Sequence, residues 1–454
     1  MKLKKKSQAG NSLIQDWTDF NSSMLHSISS EYFAKKGIDA FDNSRASESI
    51  PNSVTNSYPH ALSLARILKA NIADKPLNTK IKVLECGSGS GMFARHFLIA
   101  AQELGFLDRL EFYLSDIAVL SLLQIKEKGI LKEFSEGVNF HFITLSLPDF
   151  GSARDLSGEL INLEKLDLVI ANYVIDALPM LPLKKKENGK FDKLQLRLSD
   201  GQSLEEVNLV YDTNFLSRLE IKERWVEYDL QSASDLERKY FNIFESSSGS
   251  YPIGSEIRYS YFALAVIESL KTKLDSRGLF YVIDIPSKVE VNHQNYIVYA
   301  NSIVNLLNEN LLADFARSQG SEVLANKDHL FVRLLITNSP DRNPNLEEAF
   351  INEFKRNNHM NLYHELIQLI NIIKSPQSID VLKFLVDKFQ EIDGKSALSL
   401  TSRGFYCEAV QDYEQALALY SQAQAIDFFN ECLLDMKITR LKSILRPVNS
   451  FQIV

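Results

Sequence analysis

The 454-residue chain is poor in cysteine, has no excess of positive charge and contains no long apolar run. Its three cysteines, Cys86, Cys407 and Cys432, are odd in number and far apart, so neither a disulfide framework nor a CxxC metal site can be read from them. The formal net charge of -8 removes any global reason to bind nucleic acid, where affinity comes from neutralising phosphates with Lys and Arg. No stretch approaches the roughly 20 apolar residues that a membrane-spanning helix needs, and the basic opening MKLKKK is not followed by the apolar core of a secretory signal. The expectation is a cytoplasmic protein with neither nucleic acid nor membrane as partner. Two motifs are missing as well. The HELIQ at His364 has Gln where HExxH needs its second His, and no GxxxxGK[ST] triphosphate loop occurs. No metal site is expected.

What is present is a globular composition, 45% hydrophobic and 24% charged, in a chain too long for one core to organise. Two or three domains are therefore expected. After a tail of about 12 residues, helical periodicity runs through SLIQDWTDFNSSMLHSISSEYF and PHALSLARILKANI, so residues 1–70 read as a tail and helices. From Ile81 short apolar runs (IKVLE, LEFYLS, VNFHFITL, LDLVIA, GLFYVIDI) alternate with helical stretches. They are too apolar to face water on either side, which indicates a parallel sheet with helices on both faces. A helix is expected over about 301–318, then two strands, GSEVL and HLFVRLLIT, joined by ANKD. So short a connection forces an antiparallel pair.

Residues 71–338 thus form an α/β domain of Rossmann-like methyltransferase type, whose sheet ends on an antiparallel strand. An insertion at about 181–255, with the alternating segments KLQLRLSD and EEVNLVYD, follows a strand carboxyl end, where such additions build the substrate side. NSPDRNPN reads as a linker to an all-α domain over 345–454. There Gly404, Ala416, Tyr420 and Ala423 stand at tetratricopeptide spacing, although Leu400 and Phe428 occupy its tryptophan-type and proline positions. Tetratricopeptide-like hairpins and a generic helical bundle both fit.

The stretch VLECGSGSGMFARHF concentrates the chemistry. Counted from Gly89, it satisfies the dinucleotide pattern GxGxxA, so the glycines alone leave the ligand open. Glu85, two residues before Gly87, would repel a pyrophosphate and suits the ammonium of S-adenosylmethionine. Asp116 ends the second strand, where an acid accepts from ribose hydroxyls, and ANYVIDALP places Asn172 and Asp176 beyond the carboxyl end of another.

The blocks VLECGSGSGMFARHFL, ANYVIDALP and GSEIRYSYFALAVIESLKTKLDSRGLFYVIDI resemble those of the MidA-like S-adenosylmethionine-dependent methyltransferases, over roughly Ser57 to Thr337. That group includes a mitochondrial complex I assembly protein that methylates an arginine of a partner subunit. The resemblance implies S-adenosyl-L-methionine as cofactor, with Glu85, Gly87, Gly89 and Gly91 around its methionine part, Asp116 on ribose and Leu147 and Pro148 near adenine. Asn172, Asp176 and Glu256 would line the acceptor side. Tyr173 stands where the family has Glu, and DIPSKVEV replaces its DYG and RGT block. The expected activity is methylation of a side-chain nitrogen of a protein or peptide. A small-molecule methyltransferase and a low-activity assembly scaffold using the helical tail are the alternatives, and the oligomeric state, a dimer included, stays open.

Overall fold

The structure, a computed structural model, describes residues 12–41, 54–200, 215–286, 296–299, 301–328, 330–372, 379–428 and 434–445. The segments MKLKKK, EEVNLVYD and SKVEV, and Cys432, lie outside them. The chain enters as a strand, β1 (Ser12–Asp19), and turns into helix α1 (Met24–Lys36), where the Ser23 side chain accepts from Leu25 N–H as N-cap. Helix α2 (Tyr58–Asn71) is capped by Ser57, with Pro59 in its first turn. The helical reading of residues 12–19 is thereby corrected. Phe20 and Ile14 pack with Leu194, Leu196 and Leu198, and the Gln15 amide bonds to Ser23 Oγ and donates to the Leu196 carbonyl, so a distant strand rather than local periodicity sets the conformation.

The alternation follows as β2 (Ile81–Cys86), α3 (Met92–Glu103), β3 (Leu110–Asp116), α4 (Val119–Glu127), β4 (Asn139–Thr144), a short β5 (Arg154–Asp155) and β6 (Leu166–Asn172). Then comes the insertion, with β7 (Leu181–Lys185), β8 (Phe191–Asp200), α5 (Phe215–Arg218), β9 (Leu219–Glu227), α6 (Asp235–Ser247) and β10 (Glu256–Tyr259). Its strands form a second sheet in the order β1-β8-β7-β10, with β9 also on β8. Helix α7 (Tyr261–Lys271) leads back to β11 (Leu274–Asp284), and β12 (Tyr296–Tyr299) pairs with β13 (Ser302–Asn305). The helix expected from residue 301 is α8 (Glu309–Ser318), started by the Asn308 cap; the residues before it are claimed by the β12–β13 ladder.

Strands β14 (Val323–Lys327) and β15 (Val332–Thr337) are the expected hairpin, although ANKD is only partly turn, since the ladder runs on to Lys327 opposite Val332. The main sheet has the order β14-β15-β11-β6-β2-β3-β4-β5. Strands β11, β6, β2, β3 and β4 are parallel and β15 is antiparallel to β11, the methyltransferase-type arrangement expected from the hairpin. Successive residues serve opposite faces: Val83, Phe112 and Ile170 pack under α2 and α3, while Leu84, Tyr113 and Val169 pack under α7 and α8. Each fully buried side chain of this size stabilises by about 1.5–3 kcal/mol, which is why these strands read as continuous apolar runs. Because β2 pairs with both β3 and β6, the strand order reverses at its carboxyl end and opens a crevice there.

The rest is helical: α9 (Pro344–Ile351), α10 (His359–Ile372), α11 (Ile379–Ile392), α12 (Ala397–Ala409), α13 (Tyr413–Ile426) and α14 (Leu434–Leu445), each of the last five packing on its neighbour. In the α12–α13 pair a Cβ on Gly404 would lie 2.5 Å from the Tyr420 ring, while Ala416, Tyr420 and Ala423 are fully buried. Gly404→Ala should therefore destabilise by about 1–3 kcal/mol despite the better helix propensity of alanine, read as a lower midpoint in denaturant. Two polar anchors tie these helices to the sheet. Glu353 accepts from Ser63 and Arg66 of α2, and Arg333 of β15, fully buried, reaches Asn361 of α10 at 3.2 Å.

Candidate functional site

The crevice is built from the carboxyl ends of β2, β3, β6 and β11. Glu85 is buried one residue before the end of β2, and Oε2 of its carboxyl has no hydrogen-bond partner. The following loop crosses to α3 with Gly87 and Gly89 at φ of 64° and 51°, values open to glycine without strain. It also has no room for side chains. A Cβ on Gly87 would stand 2.7 Å from Val174 in the turn after β6, and one on Gly89 would stand 3.0 Å from the Phe41 ring. The third glycine, Gly91, is the N-cap of α3.

Asp116 holds this loop from the next strand. Its Oδ2 accepts from Gly89 N–H at 3.1 Å and its Oδ1 from Ala118 N–H at 2.8 Å. Burial pushes its carboxyl up to about 6, against the pull of those backbone donors. Burial, together with the charge of Asp116, pushes Glu85 well above the usual carboxylate range. Ile117 follows, 63% exposed, on the rim of a cleft of about 610 Å³ whose opposite wall is α1 and which Pro179 also lines. Leu147 and Pro148 lie beyond β4, tied toward Asp116 by Leu145 N–H donating to its carbonyl.

On the other side of β2, Asn172 ends β6, and its Oδ1 lies 3.3 Å from His60 Nε2 of α2. Burial lowers His60 to about 3, so the neutral ring donates to that oxygen and leaves Asn172 Nδ2, buried and unpartnered, turned the other way. Tyr173 adopts φ of 53°, rare for an aromatic residue, with its N–H on the Ile283 carbonyl and its ring against Phe331. Asp176 is buried in the same turn. Its partner is Asp284, the last residue of β11, which the sequence reading passed over. Burial pushes Asp176 up to about 7, and burial plus the charge of Asp176 pushes Asp284 well above the carboxylate range.

Glu256 is placed elsewhere. It opens β10 in the second sheet, opposite Lys184, whose ammonium is 3.5 Å from its Oε1, and it faces Glu223 rather than Asp176. A further residue outside the sequence reading is His26 of α1, which lines the cleft edge-on to Phe20 and is kept neutral by burial, its pKa lowered to about 4. Both of its ring nitrogens are buried without a hydrogen-bond partner. Nothing in the local pattern around His26 marks it. Asp284, by contrast, shares the strand-end position of Glu85 and Asp116, and that position was the available signal.

Four buried acids thus line adjacent strand ends, and among the described residues no Lys or Arg shifts any of them. Uncompensated buried carboxyls stay neutral or take up a cation, so a positively charged ligand is one way these four acids can be satisfied. Among the described residues no His, Cys, Asp and Glu cluster suited to a metal ion occurs, and no helix is long and apolar enough to cross a membrane.

No family model matches the chain, and no curated protein does. Among solved structures it is similar to a superfamily member from Burkholderia thailandensis bound to S-adenosyl-homocysteine, at 14% identity and TM-score 0.48, over 75% of this chain and 91% of that one. A native structure of an uncharacterized protein of that superfamily and organism overlaps at 14% identity and TM-score 0.45, over 73% and 90%. The 1,6-didemethyltoxoflavin-N1-methyltransferase of the same organism, with that substrate and S-adenosylhomocysteine bound, overlaps at 12% identity and TM-score 0.32, over 74% and 98%. Overlaps this loose decide neither activity nor substrate, which have to be read from the chain's own residues.

Proposed function

We propose that the protein is an S-adenosylmethionine-dependent methyltransferase acting on a side-chain nitrogen of a protein or peptide. The observation that carries this reading is the row of buried acids without a cation at the strand-order reversal. S-adenosylmethionine, when bound, brings a sulfonium methyl group and an ammonium. Glu85 Oε2, which lacks a donor, suits that ammonium directly or through water; Asp116 suits the ribose hydroxyls, and Ile117 gives adenine an apolar face beside Leu147 and Pro148.

The loop at Gly87 and Gly89 leaves backbone where side chains would block close approach. Asn172 is oriented by His60, and Asp176 lies in the turn that touches Gly87, so the chain's task is to hold the acceptor nitrogen in line with the methyl group. Such positioning supplies roughly 7–11 kcal/mol of the barrier reduction. The insertion sheet and the C-terminal helices offer the extended surface that a macromolecular acceptor needs.

Two measurements test this. Calorimetry should give saturable one-site binding of S-adenosylhomocysteine to the full chain. Incubation with methyl-labelled S-adenosylmethionine and a cell extract should place label in protein. Absence of binding would sink the methyltransferase reading, and label confined to small metabolites would sink the protein acceptor.

A further inference from the structure

We propose that Asp284, together with Asp176 and Asn305, forms the pocket that receives a cationic acceptor nitrogen and takes its proton. This rests on the methyltransferase reading and adds to it a residue and a proton path. The sheet itself creates the juxtaposition. Strands β6 and β11 run in register, with Ile283 beside Asn172 and Tyr173 N–H on the Ile283 carbonyl, so the residue after Ile283 and the turn after Asn172 emerge side by side.

Asp284 is fully buried with its carboxyl against the carboxyl and backbone N–H of Asp176, and beyond that mutual contact neither Asp284 nor Oδ2 of Asp176 has a hydrogen-bond donor from another residue. A third element adds to them. Asn305 of β13, 2% exposed, donates its backbone N–H to the Asp176 carbonyl at 2.9 Å and its Nδ2 to the Leu178 carbonyl at 3.0 Å. Its Oδ1 is left buried and unpartnered.

Apart from what the two aspartates give each other, these four atoms lack a donor, and all of them can accept. A ligand that satisfies them must bring several N–H donors and no acceptor of its own, which describes an ammonium or guanidinium group. Burial raises both carboxyls and the charge of Asp176 raises Asp284 further, so the two disfavour ionising together and a single cation suits the pair better than two. The neutral Asn305 stands beside the pair, and Tyr281, packed on the other sheet face against His60, feels the charge of Asp284 only after those of Arg333 and Asp328.

The proton balance follows. The ionised member of the pair removes one proton from the bound cation and exposes a nitrogen lone pair. That pair of electrons forms the new C–N bond as the C–S bond breaks, and the electrons of the broken bond stay on sulfur. The methylated nitrogen is again a cation, and the extra proton remains on the two aspartates until solvent takes it.

The test needs no knowledge of the natural acceptor. Sinefungin carries an amine where S-adenosylmethionine carries its methylated sulfur, and so presents an ammonium toward this pocket. The full chain should bind sinefungin at least tenfold more tightly than S-adenosylhomocysteine at pH 8. That preference should fall to near unity in both Asp284→Asn and Asp176→Asn, with S-adenosylhomocysteine affinity unchanged within twofold. In the wild type it should shrink from pH 8 to pH 6 as the second proton enters the pair. The proposal is overturned if wild type binds both ligands equally, if the preference survives in both variants, or if it is flat with pH. Binding of neither ligand by wild type would instead overturn the methyltransferase reading, and a variant that fails to fold leaves the wild-type pH series to decide.

Discussion

Replacing Arg333 by alanine should lower the unfolding free energy by about 3–5 kcal/mol, the range for removing one partner of a buried ion pair. The guanidinium is completely buried on β15, 2.7 Å from Asp328 Oδ2 and 2.8 Å from Asn326 Oδ1, and it also meets Asn361 of α10. The Phe331 and Phe354 rings lie over it at 5.3 Å each. The variant loses all of these and leaves Asp328 half-buried with no cation. Denaturant unfolding gives the size of the loss, and pH gives its origin. Burial would raise the Asp328 carboxyl, but the charge and hydrogen bond of Arg333 outweigh it and hold the group below its ordinary value. A depressed carboxyl contributes stability above its unfolded pKa and loses it as pH falls through the folded one. Wild type should therefore weaken in acid more steeply than the variant, and equal acid slopes would show that packing rather than charge was lost.

Asp116→Ala should cost at least a hundredfold in S-adenosylhomocysteine affinity, about 3 kcal/mol. Two backbone donors, at Gly89 and Ala118, lose their acceptor, and each buried unpartnered N–H costs about 1–3 kcal/mol, so the loop relaxes before any ligand contact is counted. In wild type the same carboxyl gives the opposite pH sign to Asp328. Its folded pKa is raised to about 6 by burial, so the folded state holds this proton more tightly than the unfolded chain does. Its contribution to stability is largest at low pH and falls as pH rises from about 4 to 6. Ribose hydroxyls donate to the ionised form, so ligand affinity should fall as pH drops below about 6 while the fold itself is not weakened by this group. A binding profile flat between pH 5 and 8 would remove Asp116 from the ligand.

The parts of the site that could be read from sequence are those whose chemistry is local. The loop from Glu85 to Gly91 and the turn from Asn172 to Asp176 each sit within one strand-to-helix or strand-to-loop passage, so their spacing carried the information. The reversed last strand was also legible, because the connection between β14 and β15 is too short to cross over. What escaped depends on pairing across the chain. Asp284 meets Asp176 only because β11 is seated beside β6, and Glu256 is diverted to Lys184 by the pairing of β10 with β7. His60 reaches Asn172, and His26 the cleft beside Ile117, through helices whose sequences carry no mark of it. Residues 12–19 were misread for the same reason, since their partner β8 lies far along the chain.

That last pairing also bears on how the molecule is made. Ser12 is opposite Asp200, so β1 has no partner on β8 until synthesis has carried the chain on to that strand. Contacts of such separation are slow to close, because the intervening loop entropy is lost before any pairing compensates. The roof of the cleft, α1, follows β1 directly and packs on β13, later still in the chain. The wall of the cleft thus joins an early contact, α1 on α4, to one that needs a strand from far along the chain.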